Sequence, residues 1–228
     1  MNYTLKALPN GTAIDLASPD TYEFKVEPIA KMLSKIKRFN GYGQDVAIHS
    51  VQVARILYNY TGNPHIALVG LLHDAQEAFI GDVATPVKYV VGTEWDVMEG
   101  NLQRAIMSQL CPYCKHTLAV QPLIKLVDTY LLKLEVEDLF ANGEYQYNDA
   151  WNFLGKIVVP DEVVLRCYVS SDKSSDVFIR EYDMYKSLIE DLDESEFVLD
   201  TYNSFSGKHQ CYVSKEKTTY PLSEIYKG

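Results

Sequence analysis

The sequence predicts an all-α core with small irregular or β additions at its two ends. Three observations carry this reading. Apolar residues recur at helical spacing from Pro28 to Phe140 and again from Asp176 to Asp193. Start and stop residues such as Asn63-Pro64 and Gly62 punctuate those stretches. Strand-like alternation is confined to Ala13 to Leu16 near the start and to the residues after Phe197.

Residues 1–25 are rich in turn formers, Pro9-Asn-Gly and Ser18-Pro-Asp, and read as an irregular or hairpin-like lead-in. A first helix opens near Pro28, whose fixed φ suits a first turn, carries Ile29, Leu33 and Ile36 on one side, and ends near Arg38-Phe-Asn-Gly. Val46, His49, Val53, Ile56, Leu57 and Tyr60 form the stripe of a second helix stopped by Gly62. Asn63-Pro64 supplies a cap and a first-turn proline for a third, very apolar helix reaching Ile80, with Gly81 as its exit. A fourth is expected from Glu94 to Leu110, and a fifth from about Pro122 to Phe140 with Ile124, Val127, Leu131 and Leu134 largely on one side. Lys156 to Ser170 fits strand or helix, Asp176 to Asp193 is helical, and a small hairpin around Ser206-Gly-Lys with a tail closes the chain. The expected division is a lead-in over 1–25, one helical domain over 26–195 and a hairpin or tail over 196–228.

Composition narrows the function. Of 228 residues, 47% are hydrophobic and 23% charged, as in soluble globular chains, and the apolar run Ile66 to Leu72 falls far short of the ~18 residues that span a bilayer. No membrane partner is expected. The formal charge is −10, a surface that repels a phosphate backbone, so no nucleic acid polymer is expected as partner. Four cysteines are too sparse for a disulfide scaffold and read as free thiols in a reducing cytoplasm. Cys111-Pro-Tyr-Cys114 with His116 lacks a second ligand pair at zinc-finger spacing and reads as a surface loop between helices.

Several ionisable residues stand where an apolar stripe demands a hydrophobe. His49 lies between Val46 and Val53, Asp128 between Ile124 and Leu131, and His73-Asp74 closes the apolar run of the third helix. A buried charge without a partner costs several kcal/mol, so such residues need each other or a cation. Two imidazoles and two carboxylates on neighbouring helices suit a divalent transition ion with positions left open for substrate. Taken singly, each also fits a hydrogen-bonded core residue or a cap; the joint pattern is what points to a metal.

The stretch His73-Asp-Ala-Gln-Glu-Ala-Phe-Ile-Gly-Asp-Val-Ala-Thr-Pro-Val-Lys-Tyr89, with His49-Ser upstream and Ile124-Lys-Leu-Val-Asp128 downstream, resembles the HD-domain metal-dependent phosphohydrolases. Within them it is most similar to the 5′-deoxynucleotidase branch, including phage-encoded relatives, from about Arg38 to Phe140. The resemblance implies one divalent ion (Mn, Co, Mg or Zn) on His49, His73, Asp74 and Asp128, with Glu77 and Asp82 moving protons. Glu77 is four residues after His73, which on a helix would set the two on one face. Arg38 and Lys88 are the expected clamps for an anionic substrate, and Phe39 a contact to base or sugar. One departure is Ile48, which stands where a polar residue often precedes the first histidine. The implied activity is removal of the 5′-phosphate from deoxyribonucleoside monophosphates, with triphosphate removal from deoxynucleoside triphosphates or a non-catalytic nucleotide-binding module as alternatives. A homodimer and a cytoplasmic location, host cytoplasm if phage-encoded, complete the expectations.

Overall fold

Turn chemistry sets the limits of the elements. The structure, a computed structural model, describes residues 4–112, 117–164 and 173–191 and the backbone of 210–211 and 220–221. Strands β1 (Leu5–Ala7) and β2 (Ala13–Asp15) pair antiparallel, Lys6 opposite Ile14, across a turn in which Gly11 takes a φ of +82° that favours glycine. A 3-10 turn (Pro19–Thr21) leads to α1 (Val26–Leu33), which starts two residues before Pro28 and ends before Ile36. A second 3-10 turn spans Phe39–Gly41. Helix α2 (Val46–Thr61) is capped by the Asp45 carboxylate, which accepts from the Ile48 N–H at 3.0 Å, and is closed by Gly62 in the left-handed region. Asn63 caps α3 (Pro64–Leu71) through the N–H groups of His65 and Ile66.

The expected single helix from Pro64 to Ile80 is two helices, and the break falls at the His-Asp pair. Leu72 leaves the helix at φ −96°, ψ 5°. The His73 N–H (3.4 Å) and ring Nδ1–H (2.7 Å) both donate to the Gly70 carbonyl, the acceptor a continuing helix would offer to Asp74. The chain resumes as α4 (Glu77–Ile80), so the expected helical i, i+4 relation of His73 and Glu77 does not exist, although both face the same interior. Then follow α5 (Thr85–Val91), α6 (Thr93–Leu110), α7 (Thr117–Ala141), a 3-10 segment (Asp149–Lys156), α8 (Asp161–Val164) and α9 (Ser174–Glu190). Helix α7 begins before Pro122 and holds that proline in its second turn, where the missing N–H removes one helical hydrogen bond. At the end, β3 (Gln210–Cys211) pairs antiparallel with β4 (Tyr220–Pro221), later than the expected turn at Ser206-Gly-Lys, which lies outside the described residues.

Helix α2 is the axis of the core, packed against α3, α7 and α9, and α9 also covers α1. The α2 and α3 backbones approach closely at Gly70, where a Cβ would overlap Leu57 Cδ1. Val177, Phe178 and Tyr185 bury α9 in this core, and Glu181 on the same helix accepts from Arg55 Nε at 2.8 Å and from Nη2 at 2.6 Å. The lead-in clamps α4. Tyr22 and Phe24 pack edge-on to Phe79 (6.0 and 5.4 Å), and Lys6 Nζ donates to the Phe79 carbonyl. Gln109 on α6 ties the same segment down through the Phe24 N–H and the Tyr22 carbonyl, each at 2.9 Å.

Cys111 corrects two expectations. It is buried in the core at the end of α6, not in a surface loop, and it is disulfide-bonded, not a free thiol. A sparse cysteine count sets no limit on whether folding brings two thiols together. Residues 113–116, with Cys114 and His116, lie outside the described residues. Among the described residues no helix is long and apolar enough to cross a membrane.

Candidate metal centre

Three chain segments deliver ionisable side chains to one interior point. His49 projects from the first turn of α2 and is fully buried; His73 and Asp74 come from the break after α3; Asp128 comes from α7. His49, His73 and Asp74 each present a ligand atom within 4.8 Å of the other two. Asp128 joins at one corner: its Oδ1 is 3.2 Å from His49 Nε2, while Oδ2 accepts from Lys125 Nζ at 2.7 Å. The other carboxylate is Asp74, whose Oδ2 lies 3.0 Å from His73 Nε2 and 4.0 Å from His49 Nε2.

The histidines are oriented as cation ligands are. Each Nδ1–H is already used, to Glu135 Oε1 at 3.0 Å from His49 and to the Gly70 carbonyl at 2.7 Å from His73. Each Nε2 is buried without a directed hydrogen bond, although carboxylate oxygens lie close. Two buried nitrogens pointed at carboxylates and lacking aligned donors or acceptors fit a divalent ion between them. Nitrogen and carboxylate oxygen together are a donor set for Zn, Mn, Co or Fe.

No family model matches this chain. It is 31% identical to an uncharacterized protein of Rhodobacter capsulatus over 166 residues, which cover 69% of this chain and 81% of that protein. The chain belongs to the family of that protein. A Vibrio atlanticus protein named 5′-deoxynucleotidase is 28% identical over 132 residues, covering 47% of this chain and 68% of its own length.

Around the centre the charges are strongly biased. Burial raises the Glu77 carboxyl, and the nearby Asp74 and Asp82 charges add to it; Arg38 and Lys88 offset little, leaving it at about 10 and therefore protonated at neutral pH. Asp82, half-buried, is raised by the same burial and by Asp74, against the pull of Arg38, Lys88 and His49. Burial also works to raise Asp74, but the His73 and His49 rings outweigh it and hold it at about 2. Asp128 is held well below the usual carboxylate range by His49, His73 and Lys125 despite burial. Burial and the Arg38 charge push the His49 ring down, yet Glu135 and Asp128 lift it to about 9.

The expected clamps are present but engaged. Arg38 is buried beside the centre, its Nε donating to Glu135 Oε2 at 3.0 Å and Nη1 3.9 Å from Asp74 Oδ2. Its guanidinium lies 5.6 Å from the centre of the Phe39 ring. Phe39, half-buried, takes a φ of +53°, and the Tyr145 hydroxyl donates to its carbonyl at 3.2 Å. Lys88 on α5 donates to Glu99 on α6 at 2.7 Å. The carboxylates Glu135 and Glu99 were not among the sequence candidates. Glu135 had a signal, since it follows Asp128 by two helical turns among apolar neighbours Leu131 and Leu134. Glu99 had none, because its partner lies on another helix.

Proposed function

We propose that this chain is an HD-type, metal-dependent phosphohydrolase that removes the 5′-phosphate from deoxyribonucleoside monophosphates. The observation that carries the reading is the pair of buried, unsatisfied Nε2 atoms of His49 and His73 facing Asp74 and Asp128. The name of the Vibrio relative supports the same direction. His49, His73, Asp74 and Asp128 would hold the ion, which when bound supplies Lewis acidity to the phosphoryl group. Arg38 holds the anion, with its terminal nitrogens turned away from the Nε that Glu135 occupies. Glu77, protonated at neutral pH, donates to the leaving 5′-oxygen as the P–O bond breaks, and Asp82 accepts the proton of the attacking water. A homodimer belongs to this reading and is checked by sedimentation of the purified chain.

The charge inventory favours the monophosphate over the triphosphate. Two further phosphates add about two to three negative charges that need free Arg or Lys. Near the centre, Arg38, Lys88, Lys125 and Lys37 are each already paired with a carboxylate: Glu135, Glu99, Asp128 and Asp45. Incubation with manganese or cobalt and each of the four deoxynucleoside monophosphates and triphosphates, followed by product chromatography, tests this. Orthophosphate from monophosphates is expected as the faster product. Tripolyphosphate as the main product would establish the triphosphohydrolase instead, and no product from any of the eight would leave only a binding module.

A further inference from the structure

We infer that Glu135 is the positioning residue of this centre: one buried carboxylate that sets the ring of the cation ligand His49 with one oxygen and the anion clamp Arg38 with the other. The inference rests on the metal and anion reading above and concerns a residue outside the ligand set.

The division of labour between the two oxygens is visible in the contacts. Oε1 accepts from His49 Nδ1 at 3.0 Å and also from Gln44 Nε2. Oε2 accepts from Arg38 Nε at 3.0 Å. Gln44 is itself held by Gln52 Oε1 at 2.6 Å, so the donor side of the network is fixed as well. The carboxylate is nearly inaccessible, 9% exposed, and burial by itself would raise it; His49, Arg38 and Gln44 together bring it below its ordinary value.

Two consequences follow for function. With Nδ1 committed as a donor, the only lone pair His49 can offer is on Nε2, the atom that faces Asp74 and Asp128. With Nε held by Glu135, the Arg38 fork is restrained, and its Nη1 is left on the side of Asp74. Helix α7 carries both Asp128 and Glu135 two turns apart, so one rigid element sets a ligand and the group that orients the opposite ligand. A plain structural ion pair with Arg38 would use Oε2 and leave the histidine ring undetermined; the occupied Oε1 is what separates the two roles.

Glutamine at this position matches the shape but not the pattern of acceptors. Its single oxygen can take the place of Oε1 or of Oε2 but not both, so either His49 or Arg38 meets the donating amide where it now has an acceptor. Glu135→Gln is therefore expected to weaken Mn²⁺ binding, measured by calorimetry on the full chain, about 10- to 100-fold. It should also weaken binding of inorganic phosphate to the Mn²⁺-saturated protein. In a double-mutant cycle, Arg38→Lys should cost less phosphate affinity in the Glu135→Gln background than in the wild type, because the arginine is no longer held. A folded Glu135→Gln protein with wild-type Mn²⁺ affinity, or fully additive phosphate losses, would overturn the inference while leaving the metal reading intact. Absence of Mn²⁺ binding by the wild type would overturn both. A second measurement needs no variant: in the Zn²⁺-loaded wild type, imidazole ¹⁵N resonances should show a protonated Nδ1 on His49 and metal on Nε2. Zinc on Nδ1 of His49 would refute the positioning role even if the glutamine variant did not fold.

Discussion

Glu77→Gln in the metal-free protein should make the chain more stable at neutral pH and less stable, relatively, in acid. Glu77 is buried at the start of α4, and one of its carboxyl oxygens has no hydrogen-bond partner. Burial, then Asp74 and Asp82, raise it from an ordinary 4.5 to about 10. Between those values the folded chain keeps a proton that the unfolded chain has released, so the unfolded state binds fewer protons and stability falls as pH rises. Each pH unit in that window costs about 1.4 kcal/mol, and glutamine, which does not titrate, removes the whole dependence. From pH 5 to pH 7.5 the stability difference between variant and wild type should therefore move by about 3 kcal/mol in favour of the variant. For a chain of this size that is a relative shift in Tm of about 6–12 °C. Thermal and urea unfolding in the presence of chelator, at both pH values, measures it. Unfolding curves whose separation is the same at pH 5 and pH 7.5 would refute the argument that Glu77 is held neutral. Restoring manganese to the same variant should expose the opposite effect, a turnover lower by about 100-fold or more, the usual worth of a positioned acid.

Three further outcomes are expected. Alanine in place of His49, His73, Asp74 or Asp128 should reduce bound metal, read by elemental analysis, together with turnover; full activity of His73→Ala with no metal lost would end the metal model. Asp82→Asn should keep metal and fold but lose about 100-fold in turnover, and a wild-type rate would remove Asp82 from the chemistry. Gly70→Ala should cost about 1–3 kcal/mol in chemical denaturation, because the new methyl overlaps Cδ1 of the fully buried Leu57. The same variant should perturb His73, whose ring is anchored on the Gly70 carbonyl.

Most helices were legible because their signals are local. Asn63-Pro64 marks the start of α3 and Gly62 the end of α2, and the stripe Val46, Val53, Ile56, Leu57 needs no knowledge of the rest of the chain. The break between α3 and α4 was not legible. The run Ile66 to Leu72 and the following Ala75, Ala78 and Phe79 keep helical composition across the break, and the interruption comes from His73 turning its ring onto a carbonyl three residues back. Local propensity favours continuation there; the side-chain bond and the crowding of α3 against α2 override it.

The candidate site divides along the same line. Which residues are out of place on apolar stripes, His49, His73-Asp74 and Asp128, can be read one helix at a time, because burial of an ionisable group violates the periodic pattern. How they meet emerges with folding: Asp128 reaches the group through His49, Glu135 spans His49 and Arg38, and Lys88 is paired with Glu99. Those contacts join residues tens of positions apart on helices whose packing angles and register follow from the shape of the whole core. A hydrogen bond is directional within a few tenths of an ångström, whereas a periodic pattern specifies a face and nothing finer.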